Sequence, residues 1–267
     1  MTTPVIAPAY ADAAGTCAME EAQLRKFQAD LGARHPDTLM AKNNLGITLQ
    51  AQGQLARARE LLETTLRDSR RVMGKHHPDT LVTMSNLALA LYEDDEPLRA
   101  LALQKKVLKW RRRSLGEEHA HTLTAMKNLA AIRFTLGDEA GARLLEEAVL
   151  KVRKRNLGEY HPDTLAAAES LACTLNNQAV ALRNADRLDE AEPLQMQALE
   201  LMTRVCGDSS LDAAITYSAT GALMKRKGDI AQAIEYFSKA IDIRERELGA
   251  DAELTQLVKR RLREMLH

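Results

Sequence analysis

The phrase Arg34-His35-Pro36-Asp37-Thr38-Leu39 returns as HHPDTL at 76–81, EHAHTL at 118–123 and YHPDTL at 160–165. His35, His77, His119 and His161 stand 42 residues apart, and Gly32, Gly74, Gly116 and Gly158 keep the same step. A constant interval of this length marks a chain built from one repeated supersecondary unit. The step lengthens to 49 between Gly158 and Gly207, then returns to 42 at Gly249.

Each repeat reads as two helices, A and B. Glycine closes one helix. Pro36, Pro78 or Pro162 then falls where proline suits a first helical turn, and Asp37, Asp79 or Asp163 follows it at the positive helix end. In the first repeat helix A runs through LMAKNNLGITLQAQ to Gly53, and helix B through LARARELLETTLRDSRRV to Gly74, with apolar residues three and four apart. The recurring histidines sit too far apart along the stack to share one ion, so they are expected to cap helices or fix loops.

Counted this way, residues 16–267 form a single domain. It comprises a half repeat at 16–32, helix pairs ending near 74, 116, 158, 207 and 249, and a capping helix at about 252–266. One pair cannot bury its own apolar face, so stacking must supply the core. The capping helix offers Leu254, Leu257, Leu262 and Leu266 to the last pair, and Lys259, Arg260, Arg261 and Arg263 to solvent. Residues 1–15, rich in Ala, Pro and Thr, are expected to be a disordered tail. The seven extra residues fall in helix A of the fourth repeat. They add about two turns, which keeps the apolar face in phase and lengthens that helix by about 10 Å.

Composition narrows the function. The 267 residues carry 37 Lys and Arg against 37 Asp and Glu, a formal charge of zero that disfavours non-specific nucleic-acid binding. The basic stretch around Trp110, with Arg111, Arg112 and Arg113, is expected to be a solvated face. Three cysteines without C-x-x-C spacing fit a reducing compartment. No apolar run approaches the roughly 20 residues of a membrane span, so a cytoplasmic location is expected. There is no G-x-S-x-G, phosphate-cradling glycine loop or H-E-x-x-H, so no enzyme, catalytic residue, metal or cofactor is expected.

Within each repeat the pattern Asn44-Leu45-Gly46, Leu49, Gly53 and Ala58 resembles the tetratricopeptide repeat. The 42-residue length and the HPDTL loop make it similar to the long repeats of kinesin light chains. The sequence departs from the pattern at Arg133, which stands where Leu49 and Leu91 stand, and at Asp95, which replaces a loop glycine. The resemblance implies an all-α fold: a right-handed α-solenoid of stacked helix pairs, a tetratricopeptide-like superhelix with helix A on the concave side.

The register implied by that resemblance places Asn43, Ile47 and Gln50 in the groove, then Ser85, Leu89 and Tyr92, then Lys127 and Phe134. Asn176 and Arg183 follow, and Lys225 and Arg226 end it. Asn43 and Asn176 are expected to face the groove, and the column Asn44, Asn86, Asn128 and Asn177 to bond between helices. Relatives that clamp chaperone tails carry Asn where this chain has Ile47, Leu89, Ala131, Val180 and Ala222, so that ligand is not expected. The groove suits a protein or peptide with apolar anchors and an acidic part, and neither nucleic acid nor membrane is expected as a partner. The function expected is a non-catalytic adaptor or scaffold; the alternative is a peptide-sensing regulatory module of a signalling or biosynthetic system.

Overall fold

The computed structural model describes residues 13–266, and about 84% of them are helical, with no strand among them. The chain packs as two compact units that divide between Asp138 and Glu139. The N-terminal unit holds α1 (Ala13–Leu31), α2 (Pro36–Ala51), α3 (Leu55–Val72), α4 (Pro78–Glu93), α5 (Pro97–Leu115) and α6 (Ala120–Thr135). The C-terminal unit holds α7 (Glu139–Leu157), α8 (Pro162–Asn184), α9 (Leu188–Cys206), α10 (Leu211–Lys227), α11 (Ile230–Leu248) and α12 (Glu253–Leu266). Even-numbered helices are of type A and odd-numbered ones of type B. The expected tail lies outside the described residues up to position 12, and from Ala13 the chain is already helical.

Within each unit every helix packs on the next, and A helices also touch A helices, α2 with α4, α4 with α6 and α8 with α10. This is the contact pattern of an all-α repeat solenoid. The core is mostly aliphatic: Leu39, Leu49, Leu62 and Leu91 are buried in the N-terminal unit, and Leu171, Leu175 and Leu223 in the C-terminal one, together with the aromatic Phe237. Each such side chain contributes roughly 1.5–3 kcal/mol by leaving water.

The HPDTL phrase is a helix-start device. His35 Nδ1 accepts the backbone N–H of Asp37 at 3.3 Å, His77 that of Asp79 at 3.3 Å, His119 that of His121 at 3.1 Å, and His161 that of Asp163 at 3.1 Å. An imidazole thus does what Ser or Asp does at most helix starts, and Ser210 takes over at α10, accepting from Ala213 N–H. In the first copy the threonine reaches backwards, Thr38 Oγ1 donating to the Gly32 carbonyl at 2.8 Å, and Thr255 at the start of α12 makes the same bond to Gly249 at 3.0 Å, whereas Thr80, Thr122 and Thr164 are buried without such a bond.

Three sequence expectations need correction. Arg111 does not belong to a solvated face. It is buried and donates to the His121 carbonyl at 2.9 Å, as Arg153 does to Asp163 and Arg244 to Leu254. A B helix thereby clamps the first turn of the A helix that follows. On the capping helix, Leu254 and Leu257 stay exposed, 55% and 38%, while Thr255, Val258 and Leu262 face the core. Apolar residues at 254, 257, 258 and 262 fit two helical stripes, and packing selects the second. The third correction, at Asn43 and Ser85, belongs to the site itself.

Candidate functional site

The A helices position the candidate residues, since their outer stripes are covered by no B helix. Position eight after each repeat glycine lies on that stripe. It holds Met40, 52% exposed, and half-buried Val82 in the N-terminal unit, and Ile215, 49% exposed, and Leu257 in the C-terminal unit. Large apolar side chains thus recur at four of the six such positions, with Thr124 and Ala166 at the other two, and each keeps part of its surface open to solvent.

In the N-terminal unit Ile47, Gln50, Leu89, Tyr92, Lys127 and Phe134 are half-buried, so each presents part of its side chain to solvent. Tyr92 and Thr135 share a hydroxyl bond of 2.9 Å that ties α4 to α6. Asn43 and Ser85 do not line an open surface. Both are buried: Asn43 Oδ1 accepts from Asn86 Nδ2 on α4 at 3.0 Å, and Ser85 Oγ donates to Gln104 Oε1 on α5 at 3.4 Å. Gln104, itself fully buried, donates onward to the Ala125 carbonyl of α6 at 3.1 Å. The helix crossing therefore turns position 43 inwards and leaves Asn44 exposed, the reverse of the expected assignment.

In the C-terminal unit Asn176 plays the Ser85 part, its Oδ1 accepting from buried Gln195 at 3.0 Å. Arg183 is half-buried and donates to the Ala219 carbonyl at 3.4 Å and to Asn184 at 3.3 Å, neither of them an anion. Burial, with Arg261 and Arg226 nearby, pulls its guanidinium below the ordinary arginine range. Arg226 is paired with Asp186 at 2.7 Å, and Lys225 is exposed. Cationic charge from three A helices thus gathers in this unit, partly neutralised at one point.

Two other groups that could carry chemistry are held by their surroundings. Burial, then the carboxylates of Glu169 and Asp212, push the Cys173 thiol up to about 11, far from a reactive thiolate. Trp110 is covered by His76, ring centroids 3.3 Å apart, and by Arg113, 5.6 Å from its ring. No helix among the described residues is long and apolar enough to cross a membrane. Sequence reasoning missed Gln104 and Gln195, the buried bridges behind the A helices. Their signal was a polar residue four places after the helix B alanines Ala100 and Ala191, where Leu62 stands after Ala58.

Comparison with known proteins agrees with this geometry. A family model of the tetratricopeptide repeat matches residues 37–109, 79–155 and 170–246. Nearly identical repeats of a putative kinesin light chain from Podosopora anserina superpose with a TM-score of 0.62, at 22% identity over 80% of this chain and 98% of that one. BtubC (BKLC) from P. vanneervenii gives 0.62 at 20% identity, covering 90% of this chain and 92% of that one. The apo form of the quorum sensor NprR from B. thuringiensis gives 0.57 at 17%, covering 94% of this chain and 64% of that one. At these identities the likeness is one of fold. No curated protein sequence matches.

Proposed function

Because the chain belongs to the tetratricopeptide repeat family, we propose that it is a protein-interaction scaffold whose A-helix stripes hold a segment of a partner protein. The observation that carries this reading is the recurring apolar position at Met40, Ile215 and Leu257, which are exposed, and at half-buried Val82. Around it, Ile47, Leu89, Tyr92 and Phe134 would take apolar anchors, with Gln50 and Lys127 as hydrogen-bond donors. Arg183, Lys225 and Arg226 would meet an acidic side chain or carboxylate, arginine doing so through its planar fork. Asn43, Ser85 and Asn176 set the spacing of the helices behind that surface.

Photo-crosslinking tests the surface. A photoreactive residue at Leu89 or Ala131 should trap a partner, and one at Lys105 on helix B should not; the reverse result rejects the proposal. The basic end has its own test. Reversing Lys225 and Arg226 to Glu should weaken that partner at least about tenfold, near 1.4 kcal/mol. The matched control is Arg112 and Arg113, without Arg111, whose reversal would strand a buried staple. If the control pair proves essential and Lys225 and Arg226 dispensable, the site lies on the B helices.

A peptide-sensing module is the second reading, favoured by the likeness to the quorum sensor. It requires that a short free peptide bind as well as the full partner does.

A further inference from the structure

A cleft of about 270 Å³ opens between α1 and α2, lined among others by Glu20, Gln23, Phe27, Met40 and Asn44. Forty-two residues on, the same positions are Leu62, Thr65, Ser69, Val82 and Asn86. There α2 packs against this set through Leu62 and Asn86. Leu62, Thr65 and Ser69 are fully buried, a Cβ on Gly46 of α2 would come within 2.8 Å of Leu62, and Asn86 donates to Asn43 of α2. The cleft is therefore the seat of an A helix, and no helix among the described residues occupies it. Two of its groups can take a partner: one carboxylate oxygen of Glu20 is shut off from solvent and has no hydrogen bond among the described residues, and the amide of Asn44 is exposed. A buried acceptor left unmet is costly, more so when charged.

The far end of the chain carries the counterpart. α12 is an A helix followed by no B helix among the described residues. The positions by which α2 meets its neighbours, Leu39, Asn43 and Gly46, correspond on α12, 217 residues later, to Gln256, Arg260 and Arg263. Both arginines are exposed, and neither forms an ion pair among the described residues. Residues 1–12, by contrast, contain no Lys or Arg to answer Glu20.

We propose that α12 of one copy seats in the α1–α2 cleft of a second copy, completing a helix pair across the two chains, with Arg263 meeting Glu20 and Arg260 meeting Asn44. Glycine at position 46 lets α2 sit tight on Leu62, so a helix with arginine there sits farther out, and long charged side chains span the gap. The contact is accordingly weak, polar and salt-sensitive. It is also heterologous, so copies add head to tail.

Sedimentation velocity on the full chain tests this. The weight-average mass should rise between about 10 and 500 µM in 50 mM salt and fall back in 500 mM salt. Glu20→Arg and Arg263→Glu should each weaken association at least about tenfold, with unchanged circular dichroism. Mixing the two variants should restore it, because the C-terminal end of the first and the N-terminal end of the second are both unaltered. A wild-type chain that stays monomeric throughout overturns the proposal, and so does a mixture that associates no better than either variant alone.

Discussion

The helix pairs α2/α3 and α10/α11 close differently from α4/α5 and α8/α9. In the first kind, helix A carries a glycine and helix B a large apolar side chain: Leu62 lies over Gly46, and Phe237 lies over Gly221, where a Cβ would come within 3.1 Å. In the second kind alanine replaces the glycine, at Ala88 and Ala179, and glutamine replaces the apolar residue. Gln104 and Gln195 then bridge to Ser85 and Asn176. The turns sort the same way. Gly53 and Gly228 end α2 and α10 with positive φ, and Asp95 and Asp186 do so after α4 and α8. One repeat plan thus supports two junctions, one held by shape and dispersion, the other by hydrogen bonds in a dry interior.

The apolar junction should break hardest. Phe237→Ala removes a ring that is 1% exposed and leaves a cavity over Gly221, which has no side chain of its own to fill it. A loss of about 3–5 kcal/mol is expected, seen as a lower urea midpoint. A loss below about 1 kcal/mol would mean that this junction is loosely packed and that the contrast with its polar counterpart is false.

The polar junction should break less, and in a different way. Gln104→Leu keeps most of the volume but leaves Ser85 Oγ without this acceptor and takes the second hydrogen bond from the Ala125 carbonyl, at a cost of about 1–3 kcal/mol. Adding Ala88→Gly makes room for the new leucine, as Gly46 does for Leu62, without satisfying either polar group. The double variant should therefore stay well below wild type. Full recovery would show that space, and not hydrogen bonding, distinguishes the two junctions.

How far these junctions could be read from sequence follows from what sets them. The 42-residue step, the glycine stops, the histidine caps and the longer α8, 23 residues against 16 in α2, are local in origin, and each was legible. Asn43 and Asn44 were not. They lie about 100° apart on one helix, and the crossing of α2 with α4, a property of two helices, decides which amide is buried. Arg111 was hidden for a related reason. In the run Arg111-Arg112-Arg113 the three residues look alike, yet only the first points towards the carbonyl of His121.

The smallest expected effect concerns the turns. Gly53 and Asp95 occupy the same place after their A helices. In each, the next N–H closes a six-residue loop, Gln54 N–H to the Leu49 carbonyl at 2.9 Å and Glu96 N–H to the Leu91 carbonyl at 2.8 Å. The geometry demands positive φ, 73° at Gly53 and 59° at Asp95, which glycine adopts freely and an L-residue adopts against steric resistance. Asp95→Gly should relieve that resistance. Against it stands the greater freedom glycine gives the unfolded chain, so the net gain is only about 0.5 kcal/mol, a rise in Tm of about 1 °C by calorimetry. Asp186→Gly should gain less, because it also removes the carboxylate that holds Arg226 at 2.7 Å. If Asp95→Gly lowers Tm instead, the aspartate contributes more to the turn than its backbone strain costs, and the polar pairs carry an adaptation that extends beyond their buried glutamines.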